Sequence, residues 1–151
     1  MKGLLILGCV VMLLVAATAC GQQPAPVNLP PVEPVTVIFD DDGSPDGTVA
    51  LLYLLSITQV DLASVSISYG EAHPEVFIQQ IGRVLDSNGR TDIPLGYGQD
   101  HPLAGSNAFP ESVRDASNGF WGISIPNLEK TYSADSASEL IVSLLKQSAE
   151  P

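Results

Sequence analysis

Strand-like and helix-like segments alternate along most of this chain, and this order constrains its fold more than any other feature. Residues 35–39 form a β-branched, apolar run of the kind that parallel sheets bury on both faces. Residues 48–57 are apolar almost all round, which suits a helix packed deep against a sheet. In residues 62–69 apolar side chains alternate with serine, and this period of two predicts a second strand.

The alternation continues further along the chain. Pro74 begins a predicted helix that ends at Asn88 and Gly89, and residues 92–98 predict a short third strand. Residues 99–132 show little periodicity. The order β-α-β-α-β predicts an α/β fold with an open, mainly parallel sheet, flanking helices and right-handed crossovers.

Several single residues carry simpler expectations. Ser136 and Glu139 have the spacing of a capping box, which predicts the start of a last helix. Trp121 is interpreted as part of the core, because large aromatic side chains serve packing first. Asp41 and Arg114 are interpreted as solvent-facing charges.

The first residues are typical of an export signal rather than of a folded domain. Lys2 precedes an apolar run and then small residues, and this pattern predicts a signal peptide over residues 1–19. The apolar run is shorter than the roughly 20 residues that span a bilayer. Residues 17–20 resemble the lipobox of bacterial lipoproteins, in which a cysteine such as Cys20 becomes lipidated. An ordinary cleavage site with an incidental cysteine is the alternative.

This signal predicts an exported protein that a lipid on Cys20 anchors to the cell membrane, on the extracytoplasmic side. Residues 20–34 hold the lipidated cysteine and a proline-rich tether, and residues 35–151 remain for the domain. The chain carries 17 acidic against 6 basic residues, a formal charge of −11. That balance argues against nucleic acid as a partner, since phosphates require a basic surface.

An acidic burst follows the first strand directly, at Asp40, Asp41, Asp42 and Asp46. In parallel sheets, functional groups gather at the carboxyl ends of the strands. Four carboxylates so close together repel one another unless a cation or a substrate lies among them. The burst therefore predicts the functional site. A simpler interpretation of Asp46 is that it caps the following helix.

Two other acidic motifs share features with this burst. An EF-hand calcium loop needs Gly at its sixth position and Glu at its twelfth, where this chain has Pro45 and Leu51, so that motif is excluded. Residues 38–44 look like the first motif of haloacid-dehalogenase-type phosphatases, D-x-D-G-[ST], whose first Asp attacks phosphorus. The phosphatase remains one alternative, although Lys130 and Lys146 do not lie in the acidic setting that its later motif needs.

The spacing of Asp40, Asp42 and Asp46 resembles the signature D-x-D-P-G-x-D-D of inosine/uridine-preferring nucleoside hydrolases. Later segments follow in the order of that family, so the resemblance covers residues 35–151. They are the second strand ending at residue 70, the helix ending at 82–85, the run 89–95, the run 98–103 and the loop 118–122.

The resemblance implies hydrolysis of the N-glycosidic bond of purine or pyrimidine ribonucleosides by a water that Ca²⁺ helps to activate. It implies that Asp42 is a calcium ligand and the general base, that Asp46 binds the ribose hydroxyls, and that Asp40 supports the metal shell. The implied partners are a small-molecule nucleoside and the membrane that the lipid anchor reaches.

Five positions differ from the family pattern, two of which are Gly43 and Ser44 in place of its Pro-Gly. Gly47 stands where the family has a second consecutive Asp, a calcium ligand; Glu71 stands in place of an Asn, and Asp115 in place of a His. Family members also contribute further site residues from segments that would follow Pro151. We therefore expect an incomplete domain, the N-terminal portion, whose open sheet edge is covered by a homo-oligomer or by a missing C-terminal half. The main alternative to an enzyme is a degenerate nucleoside- or calcium-binding lipoprotein without catalysis.

Overall fold

The computed structural model describes residues 33–126 and 130–148. The predicted signal peptide, Cys20 and nearly all of the proline-rich tether lie outside these residues, so their assignment stays a prediction. Among the described residues, none of the helices combines the length and apolar character needed to cross a bilayer.

Within residues 33–126 and 130–148, the sheet consists of four parallel strands in the spatial order β1-β2-β3-β4. The strands are β1 (Val35–Asp41), β2 (Val60–Ile67), β3 (Leu95–Tyr97) and β4 (Asp135–Ser136). The predicted α/β class with an open parallel sheet is confirmed. Because all four strands run in the same direction, their carboxyl ends lie along one edge of the sheet.

In the part of the chain that the structure describes, four helices connect or follow these strands. They are α1 (Pro45–Ser56), α2 (Pro74–Ser87), α3 (Glu111–Asn118) and α4 (Ala137–Gln147), with a short 3₁₀ turn at Phe120–Gly122. Ser136 stands at the N-cap of α4, but its side chain makes no capping hydrogen bond there, so the helix is confirmed and the capping box is wrong.

The core lies mainly between β2 and α2. Their apolar side chains interlock because β2 presents alternate residues to the helix and α2 presents a stripe at helical spacing. Each fully buried side chain of this size contributes about 1.5–3 kcal/mol relative to exposure. The members that are at most 2% exposed are Val65, Ile67, Phe77, Ile78, Ile81 and Leu85.

Two aromatic residues of the 3₁₀ turn extend this core. Phe120 is buried and Trp121 is half-buried, and their ring centroids lie 5.9 Å and 5.8 Å from that of Phe77 in α2. Both residues have φ of 51°, in the left-handed region that favours glycine. Packing against Phe77 holds them there, and the interpretation of Trp121 as a core residue is confirmed.

Candidate active site

The acidic loop, residues 40–47, joins the end of β1 to the start of α1. Ser44 is the N-cap of α1, and its hydroxyl oxygen accepts a hydrogen bond from the Gly47 N–H at 3.2 Å. Pro45 follows in the first turn, where the missing N–H costs nothing. The cap is therefore Ser44, and the interpretation of Asp46 as the cap is wrong. Asp46 lies in the first helical turn, near the positive end of the helix dipole.

Asp40 is held from the neighbouring strand. Its Oδ1 accepts a hydrogen bond from the Ser66 hydroxyl at 2.5 Å, and its Oδ2 accepts one from the Ser68 hydroxyl at 2.9 Å. Ser66 in β2 and Ser68 directly after it thus provide donors for both oxygens of this carboxylate. The contact fixes the end of β1, where the acidic loop begins.

Asp41 is half-buried, so its interpretation as a solvent-facing charge is wrong. Its carboxylate turns back into the loop and accepts hydrogen bonds from the Gly43 N–H at 3.0 Å and the Ser44 hydroxyl at 3.2 Å. Burial raises the pKa of Asp41, although these hydrogen bonds oppose that effect. The carboxylate fills the space beside Gly47, where a Cβ would overlap it.

Asp42 packs against the segment that follows β2. Its backbone oxygen accepts a hydrogen bond from the Ala72 N–H at 3.0 Å, and its side chain lies so close to Gly70 that a Cβ there would overlap it. Within the described part of the chain, the carboxylates of Asp42 and Asp46 accept no hydrogen bond from another residue.

Glu71 joins the acidic group of Asp41, Asp42 and Asp46, although the sequence pattern alone did not indicate that it belongs to the site. Partial burial raises its pKa, and the negative charges of Asp42, Asp46 and Asp41 raise it further. The available signal was its position just beyond β2, because the carboxyl ends of adjacent parallel strands meet at one edge. Four carboxylates thus share one electrostatic environment.

The chemistry of this group suits Ca²⁺, which prefers carboxylate and other oxygen ligands. Calcium takes 6–8 such oxygens. Among residues 33–126 and 130–148, no three His, Cys, Asp or Glu side chains converge closely enough to hold a metal ion. The donor type therefore fits Ca²⁺, but the described residues do not by themselves form a metal site.

A cleft of about 1170 Å³ opens along the same edge of the sheet. Asp40 and Ser68 reach it from β1 and from the segment after β2, whereas Asp42 and Asp46 lie outside its lining. Its walls also include Tyr69, His73, Tyr97, Asp100 and His101. The cleft thus adjoins the acidic loop and is rich in aromatic and hydrogen-bonding groups.

Arg114 of α3 lies behind the wall of this cleft and is only 6% exposed, so its interpretation as a solvated charge is wrong. It donates a hydrogen bond to the Ala72 carbonyl oxygen at 2.9 Å and pairs with the Asp100 carboxylate. Its guanidinium carbon lies 5.1 Å from the centre of the Tyr69 ring, a cation–π contact. The residues of α3 show no apolar periodicity, so nothing in the sequence indicated that this arginine is buried.

His73, at the N-cap of α2, contacts the same region. Its backbone N–H donates to Asn118 Oδ1 at 3.0 Å. Its Nε2 lies 3.7 Å from Asp100 Oδ2 and 3.5 Å from Glu111 Oε1. The segment after β2, the segment after β3 and α3 therefore meet in one polar cluster beside the cleft.

The family model described as inosine-uridine preferring nucleoside hydrolase matches residues 37–151. This chain belongs to that family. The pyrimidine-specific ribonucleoside hydrolase RihA of Citrobacter koseri is 29% identical to it over 115 residues, which cover 76% of this chain and 36% of that protein. RihA of Escherichia coli strain K12 is 30% identical over 117 residues, 76% of this chain and 37% of that protein.

Solved structures show the same fold. A purine-preferring ribonucleoside hydrolase from Gardnerella vaginalis superposes with a TM-score of 0.62 at 23% identity, covering 75% of this chain and 37% of that one. The inosine-uridine preferring nucleoside hydrolase from Bacillus anthracis gives 0.59 at 23% identity, covering 76% and 38%. The chain thus spans little more than a third of the length of the curated relatives it matches, at 36% and 37%.

Proposed function

We propose that this chain supplies the acidic loop of a ribonucleoside hydrolase site, which cleaves the N-glycosidic bond of a nucleoside with the help of Ca²⁺. Membership of the nucleoside hydrolase family supports the reaction class. The observation that carries the proposal is that Asp42 packs against Gly70, next to Glu71, so that Asp42, Asp46 and Glu71 share one negative environment on the loop whose Asp40 lines the cleft. A sugar that develops oxocarbenium character is stabilised by such an environment.

Each aspartate of the loop has a role in this proposal. Asp42 is a metal ligand and the general base that accepts the proton of the attacking water. Asp46 accepts hydrogen bonds from the ribose hydroxyls. Asp40 supports the metal shell, since its bonds to Ser66 and Ser68 fix the start of the loop. When bound, Ca²⁺ would offset the charge of the loop and make a nearby water more acidic.

A binding protein without catalysis is the second candidate, and Gly47 favours it. The family signature has a carboxylate at this position, and here the space beside the backbone is filled by Asp41 instead. Asp41 already accepts two hydrogen bonds within the loop. A calcium site with one carboxylate fewer binds its ion more weakly, because affinity depends on the number of charged ligands.

Base release from inosine and uridine by the full chain, purified in detergent and supplied with Ca²⁺, tests the first candidate. Asp42→Asn should lower the rate by about 10²–10⁴-fold, as expected for loss of a general base. Asp61→Asn is the matched control, because Asp61 is an exposed aspartate near the start of β2, away from the acidic loop, and its rate should match wild type. Calcium binding in calorimetry without base release would favour the binding protein. If the chain neither binds calcium nor releases base, both candidates are excluded.

We also propose that the protein is exported and anchored by a lipid on Cys20, as the lipobox-like residues 17–20 indicate. Metabolic labelling with a radioactive fatty acid tests this. Wild type should carry label and sediment with membranes, whereas Cys20→Ser should carry none. Equal labelling of both chains would contradict the lipid site.

A further inference from the structure

Arg114 is the most deeply buried cation among the described residues, and its surroundings specify what it does. A buried guanidinium is costly unless its charge is paired and its N–H groups are bonded. The charge of Arg114 is paired through Nη2, which contacts acceptors on two separate segments, the Ala72 carbonyl after β2 and the Asp100 carboxylate after β3, whereas the buried Nε has no partner among the described residues. Satisfying one buried charge therefore fixes the distance between the two segments.

Both segments form walls of the cleft. Tyr69, which stacks beneath the guanidinium, and Asp100 line it directly, while Arg114 lies behind them. His73 Nε2 approaches Asp100 at 3.7 Å from the same side. The arginine thus acts on the shape of the cleft without facing its interior.

The connection extends to the acidic loop through Ala72. The carbonyl oxygen of Ala72 accepts a hydrogen bond from Arg114, and the N–H of Ala72 donates one to the Asp42 backbone oxygen at 3.0 Å. Gly43 packs directly on Ala72, since a Cβ at residue 43 would overlap the Ala72 side chain. A shift of Ala72 would therefore move the backbone that carries Asp42.

We propose that Arg114 is a positioning residue: it holds the segment 69–73 against the acidic loop and so sets the place of Asp42 relative to the cleft. The effect of Arg114 on catalysis rests on the proposed function, whereas its effect on segment 69–73 can be measured without any catalytic activity. Asp100 serves as the charge partner that keeps the guanidinium in place.

Amide hydrogen exchange on the full chain in detergent tests the positional step. Exchange of the Ala72 N–H measures how stable its hydrogen bond to Asp42 is. Exchange of the Val65 N–H, which donates to the Pro94 oxygen at 3.0 Å, measures the stability of the sheet. In Arg114→Met we expect the Ala72 amide to exchange about tenfold faster, as for loss of a charge-assisted hydrogen bond, with Val65 unchanged. Arg90→Met is the matched control, because Arg90 pairs with the exposed Asp92 and should leave both amides as in wild type.

Two further variants keep the test decisive if Arg114→Met does not fold. Arg114→Lys retains the charge, but its ammonium stands on a more flexible stem than the Nη2 that contacts both acceptors, so it should restore part of the Ala72 protection. Asp100→Asn removes the charge partner and should speed Ala72 exchange less than Arg114→Met. Unchanged Ala72 exchange in the folded variants would overturn the proposal. An equal rise at Ala72 and Val65 would also overturn it, since this indicates a general loss of stability.

If the wild-type chain releases base from nucleosides, the same variants provide a functional readout. We expect Arg114→Met to lower kcat more than it raises KM, because displacing the general base Asp42 affects the reaction more than it affects substrate binding. Arg90→Met should change neither constant. If wild type releases no base, the proposed function fails while the exchange measurement still decides the role of Arg114.

Discussion

Asp41 and Gly47 form a complementary pair at the start of α1. The carboxylate of Asp41 occupies the space that a side chain at residue 47 would need, and two hydrogen bonds from Gly43 and Ser44 keep it there. An acidic side chain at residue 47 and the present position of Asp41 are therefore mutually exclusive. The glycine thus allows a neighbouring carboxylate to fold inward.

Gly47→Ala should destabilise the protein by about 1–3 kcal/mol, as overpacking does, because the new Cβ would displace the Asp41 carboxylate from its two donors. Urea unfolding followed by circular dichroism measures this. In an Asp41→Ala background the same change should cost much less, since no carboxylate opposes the Cβ. Gly119→Ala is the control, because its Cβ would meet the Asp115 oxygen at an ordinary 3.4 Å. Equal costs of Gly47→Ala in both backgrounds would contradict the pairing.

The raised pKa of Glu71 should make the stability of the protein depend on pH. Because its pKa in the fold is raised above the ordinary 4.5, the folded state binds more protons than the unfolded chain as pH rises through this window. The free energy of unfolding therefore falls with rising pH from about 4.5 to the raised pKa, and the loss persists at neutral pH.

Glu71→Gln should remove this loss, raising the free energy of unfolding at pH 7 by roughly 0.2–1 kcal/mol, the range for partly exposed charges. The gain should vanish below the ordinary pKa, where Glu71 is protonated in both states. Thermal unfolding at several pH values measures it. Glu75→Gln in the first turn of α2 removes the same charge outside the acidic group, and it should bring no gain.

Sequence reasoning reached Asp40, Asp42 and Asp46 because they are neighbours in the chain and follow a strongly apolar strand. It did not assign Glu71 or Arg114 to the site. Their proximity to the site comes from the topology, which brings the end of β2 beside the end of β1 and lays α3 behind them. Contacts of this kind depend on tertiary structure rather than on spacing.

At the scale of elements, α1 depends on few interactions. Only Thr48 and Leu51 are buried among its residues, while its other apolar side chains are partly or largely exposed. Its start is fixed by the Ser44 cap. A helix with one deeply buried apolar residue and one strong cap should respond sharply to changes at those two places.

Ser44→Ala should cost about 1 kcal/mol, the typical loss for removing an N-cap side chain, because the Gly47 N–H loses its acceptor. Ser136→Ala at the N-cap of α4 is the matched control and should cost clearly less, since its side chain makes no capping bond. Chemical unfolding of both variants provides the comparison. A similar loss in both would show that the cap of α1 is unimportant.

Leu51→Ala should cost about 2–5 kcal/mol, because Leu51 is 0% exposed and its removal leaves a cavity. Leu52→Ala, one residue along the helix and 43% exposed, should cost much less. The difference between the two unfolding free energies measures how far α1 is seated on the sheet. Equal losses would contradict the orientation described for this helix.

The strong periodic elements could be predicted from sequence, and the weak ones could not. β1, α1, β2 and α2 lie within a few residues of their predicted bounds, since each carries a clear apolar pattern. The helix α3 was missed because its buried residues are Arg114 and Ser117, which leave no apolar stripe.

At the scale of the whole molecule, three of the exposed large apolar side chains among the described residues lie on one face of α1. The outer face of α1 carries Val49, Leu52 and Tyr53, which are 66%, 43% and 66% exposed. Within the described residues β1 hydrogen-bonds only to β2 and leaves its other edge open. Apolar faces and open edges of this kind favour association.

The unit Val32–Pro151 should therefore self-associate as its concentration rises, and replacing Leu52 and Tyr53 together by lysine should weaken that association. Sedimentation velocity over a range of concentrations measures it. Leu103→Lys is the control, because Leu103 is fully exposed on a loop outside this face. Equal association in all three proteins would exclude the outer face of α1 as the contact.

The packing of Trp121 also makes the protein its own optical reporter. It is the single tryptophan of the chain, and its ring meets Phe77 of α2 edge-on at 5.8 Å and Phe120 at 5.0 Å. Its emission should shift to longer wavelength when water reaches that contact. Fluorescence alone can therefore follow whether the 3₁₀ turn stays seated on α2, without any attached dye.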